Sequence, residues 1–392
     1  MAFAERRGKK WRVRYLRPDG GYESESGFDT KKAALNYGDK QEAAIREGRW
    51  IDPARGEISL DKYWGDWLPA QDLAPRTAER YSSYYRNHIQ PAFGSRALVD
   101  IEGLAVDAFE KKLAKRLAPN TVTGIMLVLR LLMADAAHDR RIVSSPVRPR
   151  RRRGKRTAPD VRTRKGIAIE LEAVQAIRAR LPRTEAILVL VAAFCGMRWG
   201  EVAGMRRKFL VLMPDAPGGP TGYYQIDEKI GALHESSELG LYFGPPKGGK
   251  GRTVELPPFL VELLAVYLAT LPASQQLLFP DRDGGPWRRS NFTRRLWRPA
   301  CDGWEARPTV RGHAAREAAP PIVKSLRFHD LRHTQETWLS EDKIEKIARD
   351  ERLGHATAGM EGTYNHATPK MRADILNVLQ SRWERYWSVV ES

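Results

Sequence analysis

Phe328-His329-Asp330-Leu331-Arg332-His333-Thr334, continued by Leu353-Gly354-His355 and closed by Thr363-Tyr364-Asn365-His366, gathers imidazoles, a guanidinium and a phenol within one short span of a basic chain. Residues three apart on a helix share a face, so His329 and Arg332 can address a single phosphate. His355 and Tyr364 stand nine apart with Gly354 and Gly359 nearby, which places a turn between them. The spacing therefore predicts helices over 329–340, 342–352 and near 357–366, and a mainly helical domain around them. Cutting a phosphodiester by transesterification needs a nucleophile, cations on the non-bridging oxygens, a proton acceptor and a proton donor. Tyr364 supplies a nucleophile, provided positive charge stands beside a phenol whose ordinary pKa is about 10. Arg332 and a second arginine supply a bidentate clamp that lysine does not reproduce. Taken singly, each residue has a plainer reading: a lone tyrosine is usually core or surface, and His329 and His333 are usually structural. The histidines at i and i+4 also match the zinc-protease pattern, but aspartate replaces its glutamate and Arg332 would set a like charge beside the ion. We expect no metal and no cofactor.

Outward from that span, 392 residues exceed one ordinary core and predict two or three domains. The formal net charge of +18 draws polyanions, with nucleic acid the first partner to consider and an anionic membrane surface the second. The longest apolar run, Ala186 to Phe194, falls short of the roughly 20 residues that span a bilayer. No signal region follows the N-terminal charges, so a cytoplasmic protein without a membrane partner is expected. Cys195 and Cys301 fit neither a disulfide framework nor metal spacing and read as reduced and structural.

The largest unit runs from 166 to 392. Helices are predicted over 170–181, 184–206 with an interruption at Gly196, 258–271 and 290–300, with strand-like segments in 223–230 and 240–256. Pro245-Pro246-Lys247-Gly248-Gly249-Lys250-Gly251 reads as a glycine-rich hairpin tip. Residues 302–324 read as a loop insertion. A last amphipathic segment, 375–390 with Leu379, Trp383 and Trp387, fits either docking onto a neighbouring copy or packing on its own domain. Before this unit, 146–165 is an extended basic linker in which Arg150, Arg151, Arg152 and Arg153 are either solvated or laid across phosphates. Residues 56–145 show apolar stripes at helical spacing, with Pro91 and Gly94 separating the second helix from the third. Residues 1–55 combine a strand over 11–15, a turn at Asp19-Gly20-Gly21, a return strand over 22–28 and a helix capped by Thr30. Arg6, Arg7, Lys9, Lys10, Arg12 and Arg14 make the strand pair either a solvated basic face or a DNA-binding ribbon. The fold class is α+β and multidomain: a small β-ribbon plus helix, an all-α domain, and a mainly α catalytic domain with a small antiparallel sheet.

Four motifs in order resemble the tyrosine recombinases of the phage-integrase type. Cys195-Gly196-Met197-Arg198-Trp199-Gly200-Glu201-Val202 resembles the family's first box, with Cys195 where the family has threonine. Lys247 matches the family's mobile lysine, with Lys250 the competing assignment; His329 to Thr334 matches H-x-L-R-H, and Leu353-Gly354-His355 with Tyr364-Asn365-His366 matches the last boxes. The likeness is strong over 166–370 and weaker over 77–146, while 1–50 resembles the arm-site-binding domain of integrases. The 302–324 loop and the segment from Glu336 to Asp350 depart from the pattern.

The resemblance implies that Tyr364 attacks the scissile phosphate to form a 3′-phosphotyrosyl link, that Arg198 and Arg332 hold its oxygens, and that His355 adds a hydrogen bond. It implies further that His329 accepts the phenol proton, Lys247 protonates the leaving 5′ oxygen, Glu201 orients Arg198, and His333 is structural. The implied partners are double-stranded attachment-site DNA, a homotetramer assembled on it, and DNA-bending and directionality factors. The implied function is integration or excision of a phage or mobile element in a bacterial cytosol. A plasmid or transposon resolvase, a type IB topoisomerase and a non-catalytic DNA-binding regulator are the alternatives.

Overall fold

The computed structural model describes residues 1–148, 166–309, 314–355 and 366–391. The chain divides into two compact units, Met1–Val161 and Arg162–Ser392.

The first unit opens with three strands, β1 Phe3–Arg7, β2 Lys10–Leu16 and β3 Tyr22–Phe28, paired antiparallel in that order. Alternation turns Val13 and Tyr15 inward. Helix α1, Lys31–Arg46, covers them, and Gly38 permits the contact: a Cβ there would lie 2.7 Å from Val13 Cγ2. Thr30 caps α1 as its position predicts, its Oγ1 accepting from the Ala33 N–H at 3.1 Å. The two-stranded ribbon expected here is thus a three-stranded sheet. β1 escaped notice because Phe3-Ala4-Glu5-Arg6-Arg7 has no clean apolar alternation; it forms by completing the edge of β2, and two strands alone are marginal in water.

The rest of this unit is a helical bundle: α2 Leu60–Trp67, α3 Pro75–Tyr84, α4 Gln90–Phe93, α5 Gly103–Ala114 and α6 Pro119–His138. Trp64 stacks on Tyr85 at 4.1 Å, and the phenol of Tyr85 donates to Asp61 at 2.7 Å. Helix α6 is long and apolar enough to cross a membrane by length and composition, yet Val122, Ile125, Met126, Leu129, Leu132 and Met133 are buried in the bundle core. Pro91 does not end the second helix. A π-helical turn over Tyr85–Ile89 joins α3 to α4, with the Gln90 N–H reaching the Tyr85 carbonyl, and this widened turn relieves the ring clash a proline causes in a regular helix. The chain leaves the helix at Gly94.

The second unit is built on α8, Arg183–Cys195, in which every residue from Glu185 to Cys195 is buried. A helix apolar on all sides belongs in the middle of a core, and α7 Leu171–Ala179 and α13 Asp330–Glu341 pack against it. The short helix α9, Trp199–Ala203, leads to β4 Leu210–Met213 and β5 Thr221–Ile226, then to β6 Ala232–Ser236 and β7 Gly240–Gly244, and finally β8 Arg252–Glu255. Pairing gives one sheet ordered β4-β5-β8 and a separate β6-β7 hairpin. Residues 245–251 are therefore not a hairpin tip but the crossover between the two sheets, because β8 takes its hydrogen bonds from β5 rather than β7.

Helix α10, Pro258–Leu268, is followed by α11 Arg289–Phe292, a second π turn over Thr293–Trp297 and α12 Arg298–Asp302, where Pro299 repeats the arrangement seen at Pro91. The insertion after α12 runs back on itself: Trp304 pairs with Ala319 and Arg307 with Arg316, so it is a stapled excursion rather than an open loop. Helix α14, Lys346–Leu353, follows α13. The final helix, α15 Pro369–Glu391, packs on its own unit: Ile375 and Leu379 are buried, and Trp383 stacks on Phe259 at 4.1 Å.

Candidate active site

Two helices end in left-handed glycines and present the site between them. Gly196 closes α8 at φ 60°, and a Cβ there would stand 1.9 Å from Gln335 Oε1, so no other residue fits. The turn makes Arg198 the N-cap of α9. Its backbone N–H donates to Glu201 Oε2 at 2.8 Å, its Nη1 to Glu201 Oε1 at 3.0 Å and its Nη2 to the Gly354 carbonyl at 3.0 Å. Gly354, at φ 65°, closes α14 just before His355. Arg198 and the turn carrying His355 are thus joined by a hydrogen bond.

Glu201 is 1% exposed. Burial would raise its pKa, but hydrogen bonds and charge from Arg252, then the Arg198 N–H and guanidinium, prevail and lower it. Arg252 donates from Nη1 and Nη2 to the two Glu201 oxygens at 3.0 and 2.7 Å, and from Nε to the Arg352 carbonyl at 2.9 Å. Arg252 is the member that sequence reasoning missed. A signal existed: alternation in Arg252-Thr253-Val254-Glu255 sets Arg252 on the same face as buried Val254, where a guanidinium needs a carboxylate.

Arg332, on α13, is buried. Its Nη1 donates to the Gly196 carbonyl at 2.7 Å, while its buried Nη2 has no hydrogen-bond partner among the described residues. Burial, then the charges of Arg198 and Arg252, bring its pKa down to about 9, so it remains cationic at neutral pH. An unpaired buried donor on a charged group is costly, and an anion is what would satisfy it.

His329 stands at the N-cap of α13 with an exposed edge. Surrounding protein atoms strip part of its hydration, and His333, Arg332, Arg198 and Arg289 add positive charge, so its pKa falls to about 4. At pH 7 its ring is neutral and able to accept a proton. His333 meets His329 edge to face at 5.1 Å on one side, and a Cβ on Gly166 would stand 2.4 Å from its Cδ2 on another. It is a packed ring. His355 is oriented by Asp350, whose Oδ1 lies 3.3 Å from Nδ1 and whose carbonyl accepts the His355 N–H at 2.9 Å. Burial raises the Asp350 pKa and hydrogen bonds from Lys346 and His355 lower it, with lowering the net result. Among the described residues the Nε2 of His355 has no hydrogen-bond partner.

Lys247 and Lys250 are exposed on the crossover, and Lys247 has no hydrogen-bond or ion-pair partner among the described residues. Tyr364 and Arg150 to Arg153 lie outside the described residues, as does the helix expected near 357–366. In the N-terminal sheet the cations are partly answered: Arg12 pairs with Glu5, Lys10 with Asp29, and Arg14 lies over the rings of Phe3 and Tyr22 at 5.6 and 5.3 Å. Arg6 and Lys9 are exposed there. No cluster of His, Cys, Asp and Glu suited to a metal occurs among the described residues.

The model of the phage integrase family matches residues 238–371, and that of the phage integrase N-terminal SAM-like domain matches 59–114. The putative prophage phiRv2 integrase of Mycobacterium tuberculosis is 26% identical over 379 residues, 94% of this chain and 92% of that one. The integrase of Mycobacterium phage L5 is 24% identical, covering 90% of each chain. Among solved structures, the Tn1549 transposon integrase in complex with transposon right end DNA aligns with a TM-score of 0.59 at 16% identity, over 82% of this chain and 99% of that one. A lambda integrase tetramer bound to a Holliday junction aligns with a TM-score of 0.50 at 16% identity, over 91% and 96%.

Proposed function

The chain belongs to the phage integrase family of tyrosine recombinases, and on that premise we propose that its second unit cuts and rejoins DNA strands through a 3′-phosphotyrosyl intermediate. It is a site-specific DNA recombinase. The observation that carries the proposed chemistry is the pair Arg198 and Arg332: two guanidiniums set through Glu201 and the Gly196 carbonyl, one with a buried Nη2 that has no partner among the described residues. A scissile phosphate supplies the missing acceptor, and both charges stabilise the extra negative charge of the transition state.

In the first step the Tyr364 oxygen bonds to phosphorus while the bond to the 5′ oxygen breaks. The phenol proton passes to neutral His329, and Lys247, reaching in from the crossover, gives a proton to the departing oxygen. His355, turned by Asp350, donates through Nε2 to a non-bridging oxygen. Glu201 holds Arg198 in place. The reverse reaction, with a 5′ hydroxyl from a second duplex, rejoins the strands, and the phosphotyrosyl bond conserves the energy between the steps. Strand exchange calls for four such sites, so the protein acts as a homotetramer on DNA, with DNA-bending and directionality factors as partners. Residues 1–55 form the arm-site-binding domain, 56–145 the core-site-binding domain and 146–165 the linker across the duplex.

The test is incubation without divalent metal of the full chain with supercoiled plasmid carrying the DNA that flanks its own coding sequence. A protein–DNA adduct on a denaturing gel, absent with Tyr364→Phe, is the expected outcome. An adduct that persists in Tyr364→Phe refutes the nucleophile, and no adduct with the native chain favours a DNA-binding regulator.

A further inference from the structure

We propose that Arg252 is a positioning residue that ties the Arg198 clamp, the turn carrying His355 and the segment carrying Lys247 into one mechanical unit. The inference rests on the recombinase reading and goes beyond the residues that reading assigns.

Arg252 is the first residue of β8, five positions after Lys247. Its side chain is 9% exposed, and all three kinds of guanidinium nitrogen are engaged: Nη1 and Nη2 on Glu201, Nε on the Arg352 carbonyl. Glu201 in turn holds both the backbone and the side chain of Arg198. On its other flank the guanidinium lies against Gly354, where an added Cβ would stand 2.9 Å from Nη1. One planar cation thus touches the carboxylate that sets Arg198, the carbonyl two residues before Gly354, and the glycine that precedes His355.

The far end of the same segment is also pinned. His234 Nε2 pairs with the Pro245 carbonyl at 2.8 Å, and its ring stacks on Tyr242 at 5.2 Å. Residues 246–251 therefore hang between a fixed proline and a fixed arginine, with Gly248 and Gly249 at φ 95° and 70° giving the bend between them. Lys247 draws its reference frame from the arginine that also sets the phosphate clamp. Lysine at 252 would keep the charge, but a single ammonium cannot satisfy two carboxylate oxygens and a carbonyl in one plane.

The test compares the native chain, Arg252→Lys, Arg198→Lys and the double variant on the plasmid named above, each at saturating protein, following adduct formation in a single turnover. DNA affinity and melting temperature are measured beside it, and all reactions run well below the lowest melting point. Misplacing a clamp by about 1 Å costs about 100-fold in rate, and that is the loss expected for Arg252→Lys with DNA affinity nearly unchanged. A residue that acts in part through Arg198 must be non-additive with it, so the double variant should lose clearly less than the product of the two single losses. Losses that multiply, a native rate in Arg252→Lys, or a loss explained wholly by weaker binding would overturn the proposal. If Arg252→Lys does not fold, Arg252→Gln, which keeps hydrogen-bonding reach without charge, takes its place under the same criteria. A native chain that forms no Tyr364-dependent adduct sinks the recombinase chemistry itself, and with it the coupling; an adduct with unaltered Arg252→Lys kinetics sinks the coupling alone.

Discussion

Replacing Glu201 by glutamine removes one charge and leaves the shape. The native carboxylate, 1% exposed, accepts two hydrogen bonds from Arg252, one from the Arg198 side chain and one from the Arg198 backbone. The amide keeps one acceptor oxygen and turns an NH2 group toward cationic donors. Two guanidiniums then share a poorly hydrated space with Arg332, whose pKa their charges already depress. Breaking a buried ion pair by removing one partner costs about 3–5 kcal/mol, which places Glu201→Gln well above an ordinary surface change. In a unit of this size each kcal/mol lowers the melting temperature by about 2–4 °C, so calorimetry on the full chain should find its second unit melting about 6–20 °C lower. The pH dependence carries the sign. The folded-state pKa of Glu201 lies below its unfolded value, so its contribution is complete above the unfolded pKa and is lost as pH falls through the folded one. The difference between native and Glu201→Gln should therefore persist at neutral pH and shrink in acid. A shift under about 1 kcal/mol at pH 7 would refute the reasoning, because it would mean that the arginines are solvated rather than held by the carboxylate.

Gly196→Ala should destabilise the second unit by about 2–5 kcal/mol in urea unfolding, since a left-handed φ and a steric overlap act together; a loss under 1 kcal/mol would contradict the packing described. The His329 pKa of about 4 lies below its unfolded value, so the unfolded chain binds the proton more readily between the two and stability falls as pH drops through that window. Adduct formation should accordingly show no His329-dependent loss from pH 8 to pH 6, tested by comparing the pH profiles of native chain and His329→Gln. Asp350→Asn removes the charge that orients His355 and should slow adduct formation by about tenfold to 100-fold, the usual cost of losing an orienting partner, with DNA affinity retained. Equal rates in a single-turnover assay would show that His355 needs no orientation.

Much of the architecture was legible because it is local. Apolar residues three and four apart marked the helices of the bundle, Thr30 marked the start of α1, and the unbroken apolar run at Ala186 to Phe194 marked the central helix. The final amphipathic segment left two partners open, and within the single chain Trp383 stacks on Phe259 of its own unit. Where the reading failed, the deciding term was not local. Pro91 reads as a break, yet a π turn absorbs it; residues 245–251 read as a hairpin tip, yet β8 pairs with β5. Strand β1 has little pattern of its own and exists because β2 offers an edge.

By itself the sequence determined which chemical groups were available and that Arg198, Lys247, His329, Arg332, His355 and Tyr364 recur in a recognisable order, since order and residue type are properties of the chain. Only the tertiary structure decided that Arg252 reaches across to Glu201, that Arg332 keeps a buried Nη2 with no partner among the described residues, and that a neutral His329 lies among cations. Hydrogen bonds between residues 51 or 136 positions apart, and the desolvation that shifts a pKa, arise from elements brought together by burial of a shared core. No periodicity records them.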